Sequence, residues 1–119
     1  MLADDDVLLR EGLAGLLRRS GFEVVGQVGT ASALIADVRA LRPDLAIVDV
    51  FLGQESGFRI ARDLVARGRD VILISTHDEV ELDDLIAASP ALGFLSKSEL
   101  SAEAILRILD GRATARRER

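Results

Sequence analysis

Residues 42–50 read Arg-Pro-Asp-Leu-Ala-Ile-Val-Asp-Val, and this stretch decides the fold class. Leu45–Val48 is apolar at every position, whereas a strand exposed on one face alternates apolar and polar residues. A fully apolar strand of this length is typical of a parallel sheet that helices cover on both faces. Asp49 follows directly. It is therefore expected at the carboxyl end of the sheet, where open α/β domains bind their ligands.

The rest of the chain repeats this alternation of short apolar runs and amphipathic stretches with helical spacing. The predicted strands after the first are Glu23–Val28, Leu45–Val50, Val71–Ser75 and Ala91–Leu95, and the predicted helices are Val7–Ser20, Ala31–Leu41, Gly57–Arg67, Val80–Ser89 and Ser101–Arg112. Only residues 1–3 remain for a strand before the first helix, so that strand is expected to be short. The pattern predicts one doubly wound α/β domain over residues 1–112, with a five-stranded parallel sheet and five helices, and a polar tail over residues 113–119.

The composition excludes several classes of protein. The 119 residues are 49% apolar, which is enough to fill the core of one domain. No apolar run approaches the ~20 residues of a membrane span. No cysteine is present, so disulfides and zinc–thiolate sites are excluded. The net charge of −5 disfavours specific DNA binding by this chain. The N-terminal residues lack the basic start and apolar stretch of a signal peptide, which predicts a cytoplasmic protein with no membrane partner.

Polar side chains follow the predicted strands at one edge of the sheet. Asp4–Asp6 follow the first strand and Asp49 the third, while Ser75 ends the fourth and Lys97, the only lysine, follows the fifth. Clustered carboxylates repel one another, and Mg²⁺ suits such a site because it binds one or two carboxylates together with a phosphate oxygen. Lys97 and Ser75 would then contact phosphate oxygens. The alternative is that Asp49 only caps a turn and Lys97 only neutralises it, but four such residues at strand ends favour a functional site.

These motifs together resemble the receiver domain of bacterial two-component response regulators, and the resemblance extends from Leu2 to about Leu109. The segments that carry it are Leu2–Asp6, Leu9–Leu13, Arg42–Asp49, Ser56-Gly57, Val71–Ser75 and Gly93–Lys97. The resemblance implies a CheY-like, flavodoxin-like fold. It also implies a phosphorylation-controlled signalling switch rather than an enzyme.

The resemblance assigns the phosphoacceptor and the metal ligands. Asp49 is implied to accept the phosphoryl group. Mg²⁺ is implied to be bound by Asp5, Asp49 and the backbone carbonyl of Phe51, with Asp4 acting directly or through water. Lys97 is implied to hold phosphoryl oxygens beside the metal.

A second group of residues is implied to act after phosphorylation. Ser75 also holds a phosphoryl oxygen, and Phe94 is the aromatic residue that turns inward when Ser75 is drawn toward the phosphate. Phe51 and His77 stand two positions after Asp49 and Ser75, and they are expected to flank the path of the water that hydrolyses the acyl phosphate. Alternatively, Phe51 only anchors its loop on the third helix.

The implied partners are a sensor histidine kinase, which donates the phosphoryl group, and a downstream target of unknown identity. The target is expected to contact the surface formed by the fourth helix, the fifth strand and the fifth helix. The same surface is a candidate homodimer interface.

Two other functions stay open at this stage. The first is a receiver fragment of a DNA-binding transcription factor whose helix-turn-helix domain is absent from this chain. The second is a phosphohydrolase that uses an aspartyl nucleophile on a related parallel sheet. Such an enzyme needs a second acid two residues after the nucleophile, where this chain has Phe51.

Overall fold

The structure is a computed structural model that describes residues 1–76 and 82–117. Within these residues, strands and helices alternate along the chain. The strands are β1 (Leu2–Ala3), β2 (Gln27–Val28), β3 (Leu45–Asp49), β4 (Phe51–Leu52), β5 (Glu55–Ser56), β6 (Asp70–Ser75) and β7 (Gly93–Ser96), and the helices are α1 (Val7–Arg19), α2 (Ala31–Leu41), α3 (Gly57–Ala66), α4 (Asp83–Ala88) and α5 (Ala102–Arg117). A 3₁₀ turn, Lys97–Glu99, follows β7.

Five strands form one parallel sheet in the order β2-β1-β3-β6-β7, and β4 and β5 form a separate antiparallel hairpin. Leu2 in β1 pairs with Gln27 of β2 on one side and with Ile47 of β3 on the other. The strand order reverses between β1 and β3, so the carboxyl ends of these two strands border the crevice where such sheets bind ligands. The predicted doubly wound, flavodoxin-like sheet with a shortened first strand is confirmed.

Two apolar cores cover the two faces of this sheet. On one face, Leu34 of α2 and Leu64 of α3 cluster with Val48 of β3. On the other face, Leu13 of α1 and Ile105 of α5 belong to a second core cluster. Successive side chains of a strand point to opposite faces, so a central strand such as β3 contributes to both cores. This explains why it is apolar along almost its whole length.

The β4–β5 hairpin is held close against the end of β3. Gly57 N donates a hydrogen bond to Val50 O at 2.7 Å, and a side chain on Gly57 would collide with the backbone of Asp49 and Val50. At the hairpin tip, Gly53 has a φ of 63°, which glycine adopts without the strain that other residues incur. These two glycines let the chain after Asp49 turn back over the edge of the sheet.

Two strands differ from their predicted bounds by more than one residue. The prediction of a strand over Glu23–Val28 is too long, because only Gln27–Val28 pairs with the short β1. Val24 and Val25 have suitable β propensity, but the hydrogen bonds to β1 begin only at Gly26, whose carbonyl accepts from Leu2 N at 3.1 Å, and propensity alone does not make a strand. The last strand covers Gly93–Ser96 rather than Ala91–Leu95, because its register is set by pairing with β6.

The last two helices also differ from the prediction. α5 continues to Arg117 instead of ending at Arg112, so the predicted polar tail is largely helical. The alanines and arginines of this segment are strong helix formers. The described part of α4 is Asp83–Ala88, whereas Val80 and Glu81 of the predicted helix lie outside the described residues. None of the helices in the described ranges is both long enough and apolar enough to cross a membrane.

Candidate functional site

Three carboxylates meet at the carboxyl end of the sheet. Asp4 and Asp5 follow β1, and Asp49 ends the neighbouring β3. One oxygen of each carboxylate lies within 4.8 Å of one oxygen of the other two. Asp4 and Asp49 are buried, with 0% and 5% of their surface exposed, whereas Asp5 is exposed. This acid cluster, Asp4, Asp5 and Asp49, therefore opens to solvent on the side of Asp5, and its oxygen donors fit a hard cation such as Mg²⁺.

Each carboxylate of the acid cluster accepts a backbone hydrogen bond. The pairs are Asp6 N to Asp4 Oδ1 at 3.0 Å, Gly53 N to Asp5 Oδ2 at 3.1 Å, and Phe51 N to Asp49 Oδ1 at 3.0 Å. Two of these donors belong to the β4–β5 hairpin, so the hairpin fixes the acid cluster from one side. On the other side, Asp6 caps α1 by accepting a hydrogen bond from Leu9 N at 3.1 Å.

The ammonium group of Lys97 lies between the two buried carboxylates. Its Nζ is 2.7 Å from Asp4 Oδ2 and 2.8 Å from Asp49 Oδ2. The Lys97 side chain is itself only 9% exposed, because it starts at the end of β7 and crosses the sheet edge toward β3 and β1. One buried cation therefore faces two buried anions. The Lys97 charge offsets only part of the negative charge of the acid cluster.

The surroundings change the affinity of Asp49 and Lys97 for protons. Burial raises the pKa of Asp49, and the hydrogen bonds from Lys97 and Phe51 N counteract this rise only in part. Burial by itself would lower the pKa of Lys97, but its contacts with Asp4 and Asp49 outweigh burial and raise that pKa. At neutral pH, Lys97 is therefore held in its charged form. The ionised form of Asp49 is disfavoured by its buried position.

The raised pKa of Asp49 predicts a specific pH dependence of stability. Between the unfolded value near pH 4 and the higher folded value, the folded protein binds the proton more tightly, so rising pH lowers the free energy of unfolding. Asp49→Asn removes this contribution. In EDTA, we expect the variant to gain stability relative to wild type as the pH rises through this window, as measured by urea unfolding followed by circular dichroism. A difference that stays constant or shrinks with pH would contradict the expectation.

The structure places the two predicted switch residues on neighbouring strands. Ser75 is fully buried at the end of β6, one position beyond Ile74, the register partner of Asp49. Phe94 lies on β7 opposite Leu73, so it is two positions from the Ser75 level of the sheet. Its side chain is partly buried and packs against the core that contains α2 and α3. Ser75 therefore lies at the same sheet edge as Asp49, and Phe94 lies on the neighbouring strand two positions before that edge.

Of the two residues predicted to flank the water path, Phe51 lies within the described part of the chain. Phe51 lies on β4 directly after the site, and 47% of its surface is exposed. Its N–H contacts Asp49, which keeps the residue beside the acid cluster. His77 lies outside the described residues.

An apolar cavity of about 360 Å³ lies at the opposite end of the sheet. It is lined by the starts of β1 and β3 and by the end of α2, and its walls include Met1, Phe22, Leu41 and Pro43. The acid cluster contributes no wall to it. This cavity is therefore separate from the candidate site.

Two contributors to the site are not apparent from the sequence. The backbone N–H of Gly53 donates a hydrogen bond to Asp5 Oδ2, yet in the sequence Gly53 resembles an ordinary turn glycine. Arg10 donates to the backbone carbonyl of Asp4 at 2.9 Å, yet in the helical pattern it is one of several arginines on the polar face of α1. No spacing or composition signal distinguishes either residue, because both contacts depend on the tertiary arrangement.

Comparison with known proteins agrees with this geometry. Residues 1–110 match the response regulator receiver domain family. The match covers nearly the whole chain and includes every residue of the acid cluster together with Lys97. The chain therefore belongs to the family of response regulator receiver domains of two-component signal transduction.

Two relatives from Mycobacterium tuberculosis illustrate the sequence similarity. The DNA-binding transcriptional activator DevR/DosR is 40% identical over 101 residues, which cover 81% of this chain and 46% of that protein. The probable transcriptional regulatory protein NarL is 32% identical over 116 residues, which cover 92% of this chain and 52% of that protein. The chain thus spans about half the length of the curated relatives it matches.

Solved structures show the same fold. The signal receiver domain of the putative response regulator NarL from Mycobacterium tuberculosis matches with a TM-score of 0.79 and 31% identity, covering 92% of this chain and 90% of that chain. A two-component response regulator of the LuxR family from Aurantimonas sp. matches with a TM-score of 0.81 and 26% identity, covering 93% of this chain and 84% of that chain.

Proposed function

We propose that the chain is a phosphorylation-controlled switch, in which Asp49 accepts a phosphoryl group from a sensor histidine kinase in a Mg²⁺-dependent reaction. The observation that carries this proposal is the environment of Asp49. Its buried carboxylate lies 2.8 Å from Lys97 Nζ and within 4.8 Å of two other carboxylates. A carboxylate that only capped a turn would not need a buried cation and two further acids beside it.

In the proposed step, an oxygen of Asp49 attacks the phosphorus of a phosphohistidine on the kinase. A P–O bond to Asp49 forms while the P–N bond breaks, and the electron pair leaves on the imidazole nitrogen. Lys97 holds one phosphoryl oxygen and offsets its negative charge, and Ser75 donates a hydrogen bond to another. The positions of these two groups at the same sheet edge as Asp49 support these roles.

Asp4, Asp5 and Asp49 would hold Mg²⁺ together with the backbone carbonyl of Phe51. When bound, Mg²⁺ supplies positive charge that lowers the repulsion between the attacking carboxylate and the phosphoryl oxygens. The donor set supports this assignment: among the described residues, Lys97 alone forms ion pairs with any of the three carboxylates, which leaves an excess of negative charge on them.

The proposed output depends on Ser75 and Phe94. We expect Ser75 to move toward the phosphoryl group and Phe94 to turn inward, which changes the surface formed by α4, β7 and α5. This surface includes Leu85 and Leu106, which are 52% and 50% exposed. Apolar side chains of this kind suit contact with a downstream protein or with a second copy of the chain.

The phosphoacceptor role is tested with acetyl phosphate and Mg²⁺, which replace the kinase. We expect the intact mass of wild type to increase by one phosphoryl group and that of Asp49→Asn to stay unchanged. Asp63→Asn is the matched control, because Asp63 is an exposed carboxylate on α3 with an exposed arginine partner. Equal phosphorylation of wild type and Asp49→Asn would overturn the proposal.

Phe51 is predicted to slow the loss of the phosphoryl group. Hydrolysis requires water to approach the phosphorus in line with its bond to Asp49, and Phe51, which is 47% exposed, is held beside Asp49 by a hydrogen bond from its backbone N–H. Phe51→Asn should lower the free-energy barrier for attack by water by about 1.4 kcal/mol, which corresponds to about tenfold faster phosphate release. Leu106→Asn removes a similarly exposed apolar side chain on α5 and should leave the rate unchanged. Equal lifetimes in all three proteins would show that Phe51 does not limit the access of water.

A receiver that controls a DNA-binding output is the second candidate function. It is favoured by the relatives, which are about twice as long as this chain and of which DevR/DosR is a DNA-binding transcriptional activator. A reading frame that continues past Arg119 into a helix-turn-helix sequence would favour this candidate over a receiver that acts alone. The phosphohydrolase alternative is disfavoured, because Phe51 stands where such an enzyme needs its second acid.

A further inference from the structure

Arg10 on α1 reaches back to the turn after β1. Its Nη1 donates a hydrogen bond to the backbone carbonyl of Asp4 at 2.9 Å. Its Nε is buried and has no hydrogen-bond partner within the part of the chain that the structure describes. Arg10 also forms no ion pair with any described residue. Burying an unpaired donor is unfavourable, and no salt bridge within the described residues explains why the guanidinium lies here.

The space for the guanidinium is provided by Gly29, which follows β2. A Cβ on Gly29 would lie 2.9 Å from Arg10 Nη1, which is closer than van der Waals contact allows. The next atoms, Asp4 O and Asp5 Cα, would be 3.7 and 3.9 Å away, which are ordinary contact distances. A methyl group at Gly29 would therefore displace the end of the Arg10 side chain and disturb little else.

We propose that Arg10 is a positioning residue for the acid cluster and that Gly29 is small so that Arg10 can reach Asp4. The inference rests on the proposed function, because it treats the acid cluster as the Mg²⁺ site. Asp4 N already donates to Val28 O at 3.1 Å. With its carbonyl held by Arg10, Asp4 is fixed on both sides of its Cα. The directions in which the Asp4 and Asp5 carboxylates leave the backbone are then restricted.

Magnesium titration calorimetry on Arg10→Ala, Gly29→Ala and the double variant tests this inference. Groups that orient metal ligands typically change metal affinity about 10- to 100-fold when they are removed. We expect each single variant to bind Mg²⁺ about tenfold more weakly than wild type. The double variant should bind no more weakly than Arg10→Ala, because the Gly29 substitution acts only through Arg10.

Two control variants separate this effect from general changes in α1. Arg18→Ala removes an exposed arginine from the same helix, and Gly12→Ala adds a methyl group where no atom lies within 4 Å. Both should bind Mg²⁺ as wild type does. A metal-free measurement complements the titration: in EDTA, the backbone amides of Asp5 and Asp6 should exchange hydrogen faster in Arg10→Ala and Gly29→Ala than in either control.

Several outcomes would overturn the inference. Independent, multiplicative losses of affinity in the double variant would show that Gly29 does not act through Arg10. Tighter Mg²⁺ binding by Arg10→Ala would show that Arg10 contributes repulsive charge rather than orientation. If wild type binds Mg²⁺ and both single variants bind it equally well, only this inference fails. If wild type binds no Mg²⁺, the metal site of the proposed function fails as well.

Discussion

Lys97→Ala is expected to lower the free energy of unfolding by about 3 kcal/mol at neutral pH without metal, because it leaves two buried carboxylates with no cation between them. In wild type, Lys97 Nζ lies 2.7 Å from Asp4 Oδ2 and 2.8 Å from Asp49 Oδ2. A loss of this size is a large share of the roughly 5–15 kcal/mol that stabilises a typical domain. Urea unfolding in EDTA, followed by far-ultraviolet circular dichroism, measures it.

An exposed ion pair provides the control for this prediction. Arg67 Nη2 lies 3.9 Å from Asp63 Oδ2, and both side chains are more than one-third exposed. Arg67→Ala should therefore cost about 0–1 kcal/mol. The deficit of Lys97→Ala should also shrink at acidic pH, where the carboxylates take up protons, whereas that of Arg67→Ala should change little. If Lys97→Ala is no less stable than Arg67→Ala, the buried contacts of Lys97 do not stabilise the fold.

Local sequence was sufficient to predict the centre of the sheet. Leu45–Val48 is apolar throughout because β3 contacts both cores. This unbroken apolar run is visible in the sequence without knowledge of the fold. The extent of β2 could not be predicted in this way. Val24 and Val25 favour a strand, but strand formation there requires a neighbour, and β1 pairs with β2 only through Leu2 and Ala3. The result depends on another part of the chain, which a local pattern does not report.

The residues of the candidate site likewise divide into those that the sequence indicates and those that only the folded structure reveals. Asp49 and Lys97 could be predicted as site residues because burying a charged side chain at the end of an apolar strand costs free energy. A charge at such a position therefore indicates a paired or functional group. Arg10 and Gly29 could not, because an arginine on a helix and a glycine in a turn are ordinary at those positions. Their contact exists only once α1 and the end of β2 are brought together by the fold.

Mg²⁺ is expected to stabilise the folded protein through the acid cluster. A ligand that binds only the folded state raises the free energy of unfolding by about 2.7 kcal/mol when its concentration is 100 times its dissociation constant. Asp4 and Asp49 share the charge of Lys97, whereas Asp5 lies at the exposed rim and accepts a hydrogen bond from Gly53 N at 3.1 Å. Asp5 is therefore the acid whose charge can be removed with least disturbance to the buried ion pairs.

Asp5→Asn should abolish most of this stabilisation by Mg²⁺ while leaving the metal-free protein as stable as wild type, or more so. An asparagine oxygen can still accept the hydrogen bond from Gly53, and the loss of one negative charge reduces repulsion within the acid cluster. Asp6→Asn is the matched control: Asp6 is the neighbouring acid, it lies outside the acid cluster, and asparagine caps a helix as well as aspartate does. Thermal unfolding across a Mg²⁺ titration should therefore separate the two variants. If Asp5→Asn responds to Mg²⁺ as wild type does, or if Asp6→Asn loses as much of the response, the metal is not held by the side chain of Asp5. Loss in Asp5→Asn alone would mean that its charge, rather than the acidity of the turn as a whole, completes the metal site.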